Sequence, residues 1–385
     1  MRGRFDKTIL RPPASLGVIG GGQLGRMFIQ AAQSLGFRAG VLGAIPEGPG
    51  AQVAHWSVVG PPDSFTALKA FADQAEAVTV EFENVSAPAL RWLERRMPVR
   101  PGWKTVWVSQ NRLREKTFLA RHGLPHAPWR AVRTPEELAG VVEALGFPFI
   151  LKTAASGYDG KGQVRVEEPE QVTPAWNQLG RVPCVAEGWV TFASEVSVVV
   201  ARGFDGQAVT FPVALNRHER HILDATVMPA PVGPIVSQEA RELALSVAQA
   251  LGTVGVLTVE FFLTEEGRLL INELAPRPHN SGHLTIEAAV SSQFEQQVRA
   301  LCGLPLGSTA LTSPAAMVNL LGEIWRDGEP DWEGLWRRDT GIKLHLYGKR
   351  TPAPGRKMGH LTVLDPDPEA ALARTVAARE ALIRR

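Results

Sequence analysis

The sequence predicts a chain of mixed α/β and α+β class, and three observations carry that expectation. At 385 residues it is long enough for two or three cores, given roughly 100 to 200 residues per domain. From Leu16 onward, short apolar runs alternate with stretches of helical periodicity, the pattern of a parallel sheet covered by helices. After about Pro148, strand-like runs follow one another with few helices between them, as in antiparallel sheets.

Residues 1–14 read as a loose arm, and an N-terminal α/β domain is expected over 15–104. In it LGVIG is a strand, Leu24 to Leu35 a helix, FRAGVLG a strand, Phe65 to Phe71 a helix and AVTVEF a strand, closing near Pro101. A second domain is expected over 105–305, with a lid subdomain at about 125–190. It opens with an Arg/Lys-rich helix from Gln110 to His122, stopped by Gly123 and Pro125. Thr134-Pro135-Glu136-Glu137 has the cap, proline and early acids of a helix start. PFILK, VRV, CVAEGWV, EVSVVVAR and QAVTFPVAL are strands, Glu239 to Leu251 is a helix, and VGVLTVEFFL and GRLLINELA are two more strands. Residues 306–385 hold IKLHLYGK, GHLTVL and a terminal Ala/Arg helix, enough for a small third domain.

Charge excludes some functions. With 41 Lys+Arg against 39 Asp+Glu the formal net charge is +2, which lacks the basic stripe a nucleic-acid-coating protein uses to displace counterions. Cys184 and Cys302 are the only cysteines and form no CxxC pair, so a disulfide scaffold or zinc finger is not expected and a cytoplasmic setting fits. No apolar stretch approaches the ~18 residues of a membrane span.

Gly20-Gly21-Gly22-Gln23-Leu24-Gly25 satisfies GxGxxG between a strand and a helix, where backbone N–H groups and the helix dipole attract phosphate. A dinucleotide site would require an acid at the end of the second strand to hold a ribose, yet FRAGVLG ends in Leu42-Gly43-Ala44. The monophosphate of a metabolite is the preferred ligand, and a tight turn without ligand accounts for the same glycines. After the third expected strand come Glu81 and Glu83, which strand alternation would put on one side, facing the crevice.

A second glycine loop, Gly157-Tyr158-Asp159-Gly160-Lys161-Gly162, follows Lys152 at a strand end. Only nine of the basic residues are lysines, and two of them bracket this loop, which suits a polyphosphate covered by a mobile lid; a solvent-exposed hairpin is the plainer alternative. Glu260 in VLTVEFFL and Glu273 in LLINELAPR are acids inside apolar strands. Two such carboxylates ask for a shared cation, and an oxygen-only set points to Mg²⁺. Asn272 could add an oxygen only where the strand bulges, since alternation otherwise turns it away. Structural acids bridged by Arg277 would give the same pattern. Arg277, His279, Asn280 and His283 in APRPHNSGH read as an anion pocket, as a helix cap built by Asn280 or Ser281 before Leu284, or as both at once.

Lys152 with GYDGKGQ, Glu187-Gly188-Trp189-Val190 followed eight residues after Glu187 by Glu195, and the VEFF and INELAPR pair together resemble the ATP-grasp fold. With GGGQLGRM, EFENV, NRHERHIL, ELAPRPHNSGH and GRKMGH, the series from about 16 to 365 resembles the 5-(carboxyamino)imidazole ribonucleotide synthases of purine biosynthesis. The resemblance implies an ATP-grasp architecture and a ligase that phosphorylates bicarbonate with ATP and carboxylates 5-aminoimidazole ribonucleotide, with Mg²⁺ as cofactor and a homodimer as assembly.

It also implies residue roles. Lys116 and Lys152 would hold ATP phosphates under the Gly157, Gly160 and Gly162 lid. The backbone around Glu187 and Val190 would read adenine, with the Glu187 side chain on its amino group, while Glu195 would bind ribose and His218 and Asn272 would complete the nucleotide site. Glu260 and Glu273 would carry Mg²⁺. Arg277 would stabilise carboxyphosphate, with Tyr158, Asp159 and Lys161 facing the reacting centre and Asp159 orienting or deprotonating the amine. Relatives often carry arginine at the position of Lys161, so a point charge replaces a planar fork. Gly22, Gln23 and Leu24 would cradle the ribonucleotide phosphate, Glu81 would lie near its ring or ribose, and Lys349, Arg356 and Lys357 would reach that phosphate. Rival readings are a formate-dependent glycinamide ribonucleotide transformylase of the same fold, a nicotinamide-dependent oxidoreductase and a non-catalytic nucleotide sensor.

Overall fold

The computed structural model describes residues 9–155, 157 and 162–383. Ser15–Ile19 (β1), Arg38–Gly43 (β2), Trp56–Val59 (β3) and Ala77–Val80 (β4) form a parallel sheet in the order β3-β2-β1-β4. The inner strands are buried at nearly every residue because helices cover both faces. Met27, Phe28 and Ile29 of the helix Gln23–Ser34 pack on one side, and Leu68 and Phe71 of the helix Phe65–Ala72 on the other. β3 is absent from the sequence expectation: four residues, half of them exposed, give an edge strand little apolar signature. The third expected strand also stops sooner, at Val80, so Glu81 and Glu83 lie beyond it and alternation does not govern their direction.

Trp129–Val132 (β5), Phe149–Thr153 (β6), Gln163–Val166 (β7) and Cys184–Gly188 (β8) make an antiparallel sheet in the order β5-β8-β6-β7. The helices Glu137–Leu145 and Pro169–Gln178 bury Leu138, Val141, Val172 and Trp176 against it.

The largest sheet holds nine strands: Ser194–Arg202 (β9), Ala208–Thr210 (β10), Ala214–Glu219 (β11), Ile222–Met228 (β12), Gly255–Leu263 (β13), Leu269–Ala275 (β14), Ala315–Leu321 (β15), Lys343–Leu346 (β16) and Lys357–Leu364 (β17). Its order is β14-β13-β9-β11-β12-β15-β17-β16, with β10 also on β9. QAVTFPVAL is interrupted between β10 and β11 because Pro212 offers no ladder donor. The C-terminal strands join this sheet rather than making one of their own, and the helix Pro368–Ala381 packs Ala371, Leu372 and Ala378 on the same chain's β15 and β17. Both cysteines are buried free thiols.

The helix Gln293–Cys302 joins the N-terminal sheet to the nine-stranded sheet. Its Phe294, Val298 and Leu301 enter the core of the N-terminal sheet, while Gln297 donates to Thr79 Oγ1 (2.6 Å) and Arg100 O (3.1 Å) and accepts from Val256 N (2.6 Å). One buried amide thus ties β4 to β13. Gln297→Ala leaves these polar groups buried without partners and is expected to cost about 2 to 4 kcal/mol, read as a lower urea midpoint.

Candidate active site

Glu260 and Glu273 are direct register partners across β13 and β14. The pairing shifts at that point, with Phe261 opposite Ile271, so Asn272 is the extra residue of a β-bulge. Leu269, Ile271 and Leu274 all enter the core, which turns both Asn272 and Glu273 to the other face. The condition under which Asn272 could serve the site is therefore met.

Glu260 accepts from His279 Nε2 at 3.1 Å. Burial would raise its pKa, but His279, His218 and Arg277 outweigh burial and hold the carboxyl low. Glu273 shifts the other way: burial, together with Glu260 and Glu83, raises it despite Arg112, whose Nη2 is 3.7 Å away. Two facing carboxylates with one resisting ionisation form a seat for a cation. Two facing carboxylates are a donor set that suits an oxygen-preferring ion, which takes one or two carboxylates and draws its other ligands from substrate oxygens. Arg277 does not bridge this pair; its Nε donates to Glu83 Oε2 at 2.7 Å.

Lys152, the next-to-last residue of β6, donates to Glu187 Oε2 at 3.2 Å. Lys116, expected on ATP phosphates, is instead 1% exposed, with Nζ donating to Asn272 O (3.1 Å) and lying 3.5 Å from Glu187. Arg112, not Lys116, reaches the second glycine loop: its guanidinium donates to Thr153 O and Gly157 O, each at 3.3 Å. The carboxylate of Glu187, expected on the adenine amino group, is 4% exposed and committed to the two lysines, which leaves only backbone at this position for a base. Val190 lies just past β8, half-buried. Glu195 on β9 pairs with His218 on β11. Gly162 holds φ +74 where β7 begins, and its carbonyl accepts from Thr153 N at 2.8 Å. Tyr158, Asp159, Gly160 and Lys161 lie outside the described residues.

Of these residues Arg112, Gly157 and Glu273 line one small cleft, together with Glu83, Ser109 and Gln110.

The first glycine loop departs from expectation. Glu81 turns back into it and accepts from Gly22 N (2.5 Å) and Gly25 N (2.6 Å). A Cβ on Gly20 would sit 2.1 Å from Glu81 Cγ, and one on Gly22 2.7 Å from Oε1, so the glycines make room for a carboxylate of the same chain. Gly22 N–H is thus withdrawn from the phosphate cradle, while the N–H groups of Gln23 and Leu24, at the start of the helix, keep no partner among the described residues. Burial raises the pKa of Glu81, opposed by those two N–H groups and by Arg277 and Lys349.

Lys349 reaches this loop because its segment docks there. Gln52 Nε2 donates to Gly348 O (2.7 Å), Arg350 pairs with Glu47, and buried Tyr347 shares a hydrogen bond with His360 Nδ1 (2.9 Å). Lys349 Nζ donates to Lys357 O (2.6 Å) and Arg356 Nη1 to Thr351 O (2.7 Å), so the three cations form one cluster.

Comparison with known proteins decides the family. Residues 14–110 match the ribonucleotide synthetase preATP-grasp domain, 117–294 the ATP-grasp domain, and 315–374 the phosphoribosylaminoimidazole carboxylase C-terminal domain. The N5-carboxyaminoimidazole ribonucleotide synthase of Bacillus subtilis strain 168 is 42% identical over 360 residues, 94% of each chain. The chain belongs to the N5-carboxyaminoimidazole ribonucleotide synthase family. The Staphylococcus aureus synthetase complexed with ADP superimposes with a TM-score of 0.90 at 36% identity, covering 97% of this chain and 98% of that one. The Aspergillus clavatus synthase in complex with ADP and 5-aminoimidazole ribonucleotide gives 0.87 at 32% identity, covering 98% and 99%.

Within the synthase fold, sequence reasoning missed Arg112 and misjudged Asn280. Arg112 opens its helix, where a cation opposes the dipole, and that disfavoured position was the available signal. Asn280 is not the cap: His279 Nδ1 accepts from Ser281 N (3.3 Å), while both polar atoms of the Asn280 side chain are buried without a partner among the described residues.

Glu187 has a consequence for acid stability. Burial would raise it, but Lys116 and Lys152 hold it down, from the ordinary 4.5 to about 2. A carboxyl that titrates lower in the folded than in the unfolded chain contributes stability above about 4.5 that is lost as pH falls towards about 2. Urea midpoints measured across that window should fall less steeply in Glu187→Gln than in the parent.

Proposed function

We propose that this ligase carboxylates 5-aminoimidazole ribonucleotide at its exocyclic amine in the cytosol, using ATP and bicarbonate, with the residues above in the following roles. The observation that carries the reading is the opposed Glu260–Glu273 pair, with Arg112, Lys152 and Gly157 on one side and Glu83, Arg277 and the Glu81 loop on the other. In this division residues 15–104 and 306–385 hold the ribonucleotide and 105–305 the ATP.

Arg112 and Lys152 receive the ATP phosphates, and the backbone of 187–190 meets adenine, with Glu195 and His218 at the ribose. Glu260 and Glu273, with Asn272 beside them, hold Mg²⁺, which when bound neutralises charge on the transferring phosphoryl group. Bicarbonate oxygen attacks the γ-phosphorus and the bond to ADP breaks, giving carboxyphosphate, whose charge Arg277 offsets. Carboxyphosphate divides into CO₂ and phosphate. The amine of the ribonucleotide attacks CO₂ and loses a proton, which forms the carbamate. Tyr158, Asp159 and Lys161 close over this step and exclude water, which the labile intermediate requires. The N–H groups of Gln23 and Leu24, with Lys349, Arg356 and Lys357, hold the substrate phosphate, and the orphaned amide of Asn280 is a polar group that bound ligand would satisfy.

ADP release is expected with 5-aminoimidazole ribonucleotide and bicarbonate and not with glycinamide ribonucleotide and formate; the reverse preference would overturn the reading. Lys152→Ala is expected to abolish ADP formation. Lys349→Met should raise KM for the ribonucleotide about ten-fold, the cost of one charge-assisted contact, with KM for ATP unchanged.

A further inference from the structure

Glu115 and Lys116 are consecutive residues of the helix Arg112–Arg121, both almost wholly buried, and the reaction as described uses neither. Their side chains end on the backbone of β14 on either side of Glu273. Lys116 Nζ donates to the carbonyl of Asn272 (3.1 Å), and Glu115 Oε2 accepts from the N–H of Leu274 (3.0 Å). Asn272 is the residue where the ladder with β13 slips. β14 is also the edge strand of its sheet, so its outward backbone groups and those at the bulge have no ladder partner, and buried ones must be satisfied elsewhere.

We infer that Glu115 and Lys116 are positioning residues: a two-point clamp that holds the β14 bulge, and so holds Asn272 and Glu273 on the same face as Glu260. Leu274 enters the core from the residue next to Glu273, so a slip of one residue in β14 would carry Glu273 away from the pair and bring Leu274 into the site. The clamp prevents that slip from a different element, which also carries Arg112. The helix therefore sets the distance between a phosphate-facing cation and the carboxylates opposite it.

This inference rests on Glu260 and Glu273 being the Mg²⁺ ligands. Its test is the Mg²⁺ concentration needed for half-maximal ADP binding, measured by calorimetry on the full chain, beside the melting temperature and KM for the ribonucleotide. Lys116→Met and Glu115→Leu are expected to raise the Mg²⁺ requirement about ten-fold or more, the size typical for residues that support metal ligands, with KM for the ribonucleotide unchanged. Glu115→Gln keeps an oxygen for Leu274 N–H and is expected to stay within about two-fold of the parent. Should Lys116→Met fail to fold, the Glu115→Leu and Glu115→Gln pair decides. A lowered melting temperature with an unchanged Mg²⁺ requirement in Glu115→Leu would overturn the clamp, provided Glu273→Gln raises the requirement. If Glu273→Gln leaves it unchanged, the carboxylate reading fails, and the clamp with it.

Discussion

Two carboxylates placed opposite one another on adjacent strands repel unless a cation lies between them, and much of this molecule is arranged around that constraint. Glu260 is held ionised by His279 and His218, whereas Glu273 is raised by burial and by its acidic neighbours. The asymmetry lessens the repulsion between the two carboxyl groups and so keeps the pair compatible with folding. His279 belongs to the turn that carries Arg277, and β14 is gripped by the helix that carries Arg112. Arg277 and Arg112 are therefore built onto the same supports as the carboxylates.

A net charge of +2 conceals this separation. Cations gather at two places, Arg112 and Lys152 near Gly157 and Glu187, and Lys349, Arg356 and Lys357 beside the first glycine loop. Acids stand between them. Glu187 balances two lysines at one end and Glu81 occupies helix N–H groups at the other, so both basic regions are preorganised by internal carboxylates. The C-terminal strands matter here because they extend the large sheet far enough to bring Lys349 against the N-terminal domain.

Much of the fold was legible. β1, β2, β6, β9, β13 and β14 announce themselves as apolar runs, because strands buried on both faces or packed under a helix tolerate few polar residues. Edge strand β3 and the break at Pro212 were not anticipated, since a half-exposed four-residue strand has little pattern and the cost of a missing donor depends on the neighbouring strand. Among site residues, Glu260, Glu273 and Lys152 stood out as charges inside apolar strands. Lys116 had no such cue, lying in an Arg/Lys-rich helix and linked to ATP only by the family resemblance; its charge meets buried backbone and Glu187.

The sequence by itself determined the fold class, the two glycine loops, the paired acids and the family resemblance, because these depend on residue type and order along the chain. Tertiary structure alone decided which way charged side chains turn. That Glu81 fills the loop expected to hold phosphate, that Arg277 chooses Glu83, that Arg112 rather than Lys116 reaches Gly157, and that Asn272 shares a face with Glu273 all follow from contacts between residues far apart in sequence. A side chain's partner is selected by distance and desolvation after folding, and neither is written in the local pattern that predicts its backbone.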